Sequence, residues 1–178
     1  MARKYAKDYR VTDALNERGV REQRIEYVGA DYVWREAGAA LKALRRATLL
    51  CALAWIAYLL PLFPSSQASQ TWYVLLFFLF SALPLGLLSA LLLRLRRCGA
   101  TLSHREADQA ENRFPACALS LILLPALSLA GETVLLLRTG VRLTATDLLF
   151  AVGALLLLIC GLLLRRLAVH LRTDVRQN

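Results

Sequence analysis

The chain has 178 residues, 57% of them apolar, with a mean hydropathy of +0.47 and a formal charge of +9. A soluble domain of this size is not so apolar, and the charges fall in clusters separated by long uncharged runs. The composition therefore excludes an ordinary soluble protein, and the positive balance is assigned to a membrane surface rather than to nucleic acid.

Residues 1–30 form the first region. YRVTDALNERGVREQRIEYV alternates strand-forming residues on either side of NERG, which predicts a β-hairpin. Tyr5, Tyr9, Val11 and Leu15 would share one face, with Ile25 and Tyr27 facing them from the return strand. An isolated hairpin is marginal in water, so this one needs a surface to lean on. No cleavable leader is expected, because the polar start is long and acidic and no small-residue cleavage site follows the first apolar run.

Residues 31–46, DYVWREAGAALKALRR, predict an interfacial amphipathic helix leading into the first apolar run. Val33, Ala37, Leu41 and Leu44 line one side. Trp34, Arg35, Lys42, Arg45 and Arg46 are placed for contact with lipid headgroups.

Residues 47–164 hold four apolar runs, at about 47–63, 72–93, 114–137 and 148–164. At 1.5 Å per residue such runs span roughly 26 Å or more, which matches a hydrocarbon core of ~30 Å. Backbone groups cannot be left unpaired in lipid, so each run is expected to be a helix. SHRE and TATD predict capping boxes, Ser103 with Glu106 and Thr144 with Asp147, ahead of the third and fourth spans. A basic tail, 165–178, closes the chain.

The orientation follows from the basic residues. Of 22 lysines and arginines, 11 precede the first span, 5 lie in 94–113 and 4 in the tail; only Arg138 and Arg142 fall elsewhere. The excess on one side predicts that both termini are cytoplasmic. Arg94, Arg96, Arg97, Arg165 and Arg166 then meet an anionic inner leaflet, and Trp72 and Tyr73 sit in an outer aromatic belt. The expectation is an all-α integral membrane protein, two helical hairpins with N-in/C-in topology, in the plasma membrane of a bacterium. CALAWI at Cys51 and CALSLI at Cys117, with GLLSALLLRLRR and GLLLRRL closing the two halves, raise an internal duplication.

Candidate chemistry is sparse. Glu132 is the one acid within the apolar runs, 18 residues beyond Phe114 and so about 27 Å along the helix. That depth predicts a carboxylate at the outer interface, within reach of Arg138 and Arg142; the alternative is a cavity-facing acid that handles ions. Pro84 and Pro125 interrupt the second and third spans near mid-membrane, where freed carbonyls can line a site. Ala82, Gly86 and Ala90, and likewise Ala126 and Ala130, recur at four-residue intervals and predict close helix packing, within the bundle or against a partner. His104 with Glu106 and Asp108, and His170, lie at the cytoplasmic boundary and read as a solvated face. The four cysteines lack metal-ligand spacing, and no HExxH, phosphate loop or GxSxG occurs, so neither cofactor nor metal is expected. The first functional expectation is an accessory or interaction subunit of a membrane complex, or a homo-oligomer. The alternative is a small transporter or channel using Glu132 and the proline-kinked second and third helices.

Overall fold

The structure, a computed structural model, describes residues 9–15, 21–29, 31–63, 70–99, 101–139 and 144–175. Tyr5, the NERG turn, the PSSQAS stretch between the first two spans and Arg142 lie outside these, as do most side chains of the hairpin.

Four helices are long and apolar enough to cross a membrane: Ala37–Leu62, Trp72–Cys98, His104–Arg138 and Ala145–Leu171. All four expected runs are helical, and each helix is longer than its apolar run because good helix formers continue into the charged flanks. The first span comprises α1 (Ala37–Leu59) and a 3-10 turn at Leu60–Leu62, with Pro61 in that turn. The second is divided into α2 (Trp72–Phe80) and α3 (Ala82–Cys98) at Ser81. Pro84 lies in the first turn of α3, where its missing N–H is tolerated. The Ser81 hydroxyl donates back to the Phe77 carbonyl at 3.1 Å, which occupies an acceptor next to the break.

The third span begins with α4 (His104–Asp108), widens into a π turn at Gln109–Arg113 and continues as α5 (Phe114–Thr139), which carries Pro125. The fourth is α6 (Ala145–Leu167), followed by a 3-10 turn at Ala168–Leu171. Both expected capping boxes are present. Ser103 N–H donates to Glu106 at 2.9 Å, and Thr144 N–H donates to Asp147 at 3.2 Å.

The four spans close into a ring in chain order, each against the next and the fourth against the first. Inside it, Tyr58 stacks on Phe78 at 5.2 Å between centroids, and Phe78 meets Phe150 at 4.7 Å. Polar side chains tie the spans together. Trp55 Nε1 donates to Ser89 Oγ at 2.9 Å, Ser89 in turn donates to Leu85 O, and Ser128 Oγ donates to Val74 O at 3.1 Å. Glycines set the closest approaches: a Cβ on Gly153 would meet the Pro61 ring and the Ala57 carbonyl, and one on Gly161 would meet Ile122 and the Leu121 backbone. The outer faces are leucine-rich, with Leu49, Leu83, Leu87 and Leu155 exposed.

Two sheets occur among the described residues. β1 (Tyr9–Leu15) and β2 (Arg21–Tyr27) form the expected hairpin, with Tyr9 opposite Tyr27 and Val11 opposite Ile25. The second sheet was not expected. β3 (Tyr32–Trp34) lies at its centre, flanked by β4 (Thr101–Leu102) and β5 (Thr173–Val175), both antiparallel to it. It joins the three segments that border one end of the bundle: before the first span, between the second and third, and after the fourth.

This sheet corrects the reading of residues 31–46. No separate interfacial helix begins at Asp31; Tyr32–Trp34 are extended, and the helix starts at Ala37 and runs unbroken into the first span. The β-branched residue and two aromatics of YVW favour a strand once partner strands are available, and a helical spacing pattern alone does not register those partners.

Candidate functional site: a buried acid between the third and fourth spans

Glu132 lies on α5, one helical turn beyond Ser128, whose hydroxyl is fixed on the α2 backbone. Neighbouring Gly131 lies against Tyr73 and Val74, so this level of α5 matches the start of the second span. Glu132 is only 4% exposed, and neither carboxylate oxygen has a hydrogen-bond partner among the described residues. The expected water-facing carboxylate is therefore turned into the bundle instead. Helical rise gives its depth along the axis but not its rotation about the axis, and rotation decides burial. Arg138, the expected counter-ion, is exposed, while Arg142 lies outside the described residues.

Asp147 is a second buried acid, 2% exposed, in the first turn of α6. From the sequence it is only a capping residue. It does cap, through Thr144, and it also lies within electrostatic range of Glu132. A buried carboxylate with no hydrogen-bond donor among the described residues is costly to leave charged, so Glu132 is the group at this end of the bundle that a proton or a cation would satisfy. The signal available in the sequence was that both acids fall at the same end of consecutive antiparallel helices.

The two prolines do not join this site. Pro84 and Pro125 are both buried. Pro84 lies below the Ser81 break, and Pro125 is two turns from Glu132, where its missing N–H frees the Leu121 carbonyl at the level of Gly161. The small-residue strips point largely outward. Ala90 and Ala130 are exposed, Ala82 and Ala126 half-buried, and a Cβ on Gly86 would meet nothing within 4 Å. Gly161 by contrast is in close contact, so the sequence echo between the two halves does not extend to how their glycines pack.

At the opposite end, Trp34 is buried in the small sheet, where its indole N–H donates to the Gly99 carbonyl at 3.1 Å; it is not on the membrane surface. Gly99 has φ 67°, a left-handed conformation that ends α3 and that glycine adopts without strain. Arg35 is engaged by Asp174, Nε and Nη2 each donating at 3.1 Å to one carboxylate oxygen. These hydrogen bonds hold the Asp174 carboxyl below the ordinary carboxylate range. Lys42, Arg45, Arg46, Arg94, Arg96, Arg97, Arg165 and Arg166 are all exposed. His104 stacks on Tyr32 at 5.5 Å, and His170 is exposed. No protein-family model matches the chain, and comparison with curated proteins and with solved structures returns no match.

Proposed function

We propose that the chain is a small transporter of a bacterial plasma membrane, with both termini in the cytoplasm, in which Glu132 and Asp147 bind a proton or a small cation. The observation that carries this reading is the burial of Glu132 without a hydrogen-bond donor among the described residues. An ionisable group inside a helical bundle that crosses a membrane is costly, and such groups are retained for ion or proton handling. The four apolar helices supply the membrane-crossing frame. The lysine and arginine excess supports the orientation, and the small sheet supports four crossings, since it gathers three segments that must share one side if all four helices cross.

The test is reconstitution into liposomes with proton flux and sodium and potassium flux as readouts. Wild-type protein is expected to show pH-dependent flux of one of these, and Glu132→Gln to abolish it. Identical behaviour of the variant in all three assays overturns the reading. Reporter fusions test the orientation separately: a fusion after Phe63 on the same side as one at the C-terminus would refute N-in/C-in.

A second reading rests on a different observation. Among the described residues, β1 and β2 pair only with each other and take no part in the three-stranded sheet. A lone two-stranded hairpin is marginal in water, which favours an interaction subunit whose hairpin docks on a partner or on a second copy. Purification in mild detergent with mass spectrometry tests it; a strictly monomeric protein with nothing co-purifying counts against it.

A further inference from the structure

At the sheet-bearing end, a groove of about 500 Å³ opens sideways between α3 and the start of the third span. Its lower wall is apolar, made by Leu87, Ala90 and Leu91 of α3 with Ala116 and Cys117 of α5. Its upper rim carries three arginines, Arg94 from α3 and Arg105 and Arg113 from the third span, and no carboxylate among the described residues lines it. The residues share faces for identifiable reasons. Leu87, Ala90, Leu91 and Arg94 follow the i, i+3, i+4, i+7 pattern of one helical face. On the other wall, Arg105, Gln109, Arg113 and Cys117 are spaced by four. In a regular α-helix such a row drifts around the axis, but the π turn at Gln109–Arg113 is wider and keeps it aligned along the groove.

We propose that this groove binds an anionic phospholipid of the surrounding leaflet, its phosphate at the arginine rim and one acyl chain along the apolar wall. The inference rests on the membrane reading above but not on the Glu132 site. The chemistry is complementary in both parts. Guanidinium groups offer planar, paired N–H donors to phosphate oxygens, and a basic site between helices at the membrane boundary suits an anionic headgroup. All three arginines are exposed, and Ala90 leaves space where a larger side chain would close the wall. A soluble anion would gain nothing from the apolar wall, and a zwitterionic lipid would gain little from a rim of arginines whose lining includes no carboxylate among the described residues.

The experiment uses the full chain in nanodiscs and vesicles, with phosphatidylglycerol and phosphatidylcholine as the probes. Native mass spectrometry after mild delipidation reads which lipid is retained. Wild-type protein should retain phosphatidylglycerol preferentially. Each arginine near an anionic surface contributes about fivefold, so R94Q/R105Q/R113Q should weaken the preference on the order of a hundredfold. A charge-matched control, R10Q/R138Q/R172Q, removes three exposed arginines that lie outside the groove and have no assigned headgroup contact, and should leave it within about threefold. A90W fills the apolar wall at unchanged charge and should also displace the lipid, which covers the case in which the triple variant misfolds. Equal retention of both lipids by the wild type, or equal loss in groove and control variants, overturns the proposal. Failure of the wild type to float with either vesicle overturns the membrane reading itself, and this inference with it.

Discussion

Replacing Gly153 by alanine tests the packing of the bundle, with Gly86→Ala as its internal reference. Both glycines lie inside helices, so both substitutions gain the same intrinsic helix preference, about 0.8–1 kcal/mol. What differs is the space. A Cβ at Gly86 meets nothing within 4 Å, whereas at Gly153 it would lie 2.9 Å from the Ala57 carbonyl oxygen and against the Pro61 ring. Neither neighbour can swing aside, since one is backbone and the other a ring closed on it. The fourth span must therefore move off the first, and overpacking of that kind costs about 1–3 kcal/mol. The helix-preference term cancels between the two variants, so G153A should be less stable than G86A by that amount. Equilibrium unfolding in mixed detergent micelles, followed by far-UV circular dichroism, measures it. If the two variants agree within about 0.5 kcal/mol, the close approach of the first and fourth spans is wrong.

Three further outcomes are expected from the same geometry. Glu132→Leu removes a buried carboxylate that has no donor among the described residues and should raise stability in detergent by roughly 1–3 kcal/mol while abolishing ion flux; a loss of stability would mean the acid is held by a partner. The docking of β5 should depend on acid pH. Arg35 holds the Asp174 carboxyl below its ordinary value, so the undocked strand binds more protons, and the contribution is complete above about pH 4 and lost as pH falls through the docked value. Exchange of the Arg35 amide, which donates to Arg172 O at 3.1 Å, should accelerate below that point after correction for intrinsic rate, and the step should vanish in Asp174→Asn. Trp34→Phe removes the indole N–H that donates to the carbonyl of exposed Gly99, and should cost about 0.5–1.5 kcal/mol and loosen the sheet, read as faster exchange at Val33.

What the sequence made legible was whatever one segment settles alone. The four helices follow from apolar length, each run being long and apolar enough for a helix that could cross a membrane. Ser103–Glu106 and Thr144–Asp147 were legible for the same reason: a capping box spans four residues and needs nothing else. The β1–β2 register also follows from a local alternation. The three-stranded sheet was not legible, because its strands are two or three residues long and come from both ends and the middle of the chain, Tyr32 pairing with Leu102 and Val175. No window of sequence contains them together, and YVW read by itself fits the start of an amphipathic helix as well as a strand.

The acidic pair and the arginine groove were hidden by a related ambiguity. Helical rise fixes how far along the axis a residue lies, and it places Glu132 and Asp147 at one end of the bundle. Depth says nothing of direction around the axis. One residue shifts that direction by about 100°, enough to turn a carboxylate from water into the core. At Gln109–Arg113 even the shift per residue changes, because the π turn is wider than an α turn, so a face drawn at 3.6 residues per turn separates Arg105 from Arg113 and Cys117. Beyond such a turn the α-helix resumes its usual rotation, so every later residue carries the same angular offset from a wheel drawn without it. The third span carries the π turn before Glu132, so the wheel that predicts its buried face has to be started at Phe114 and not at His104.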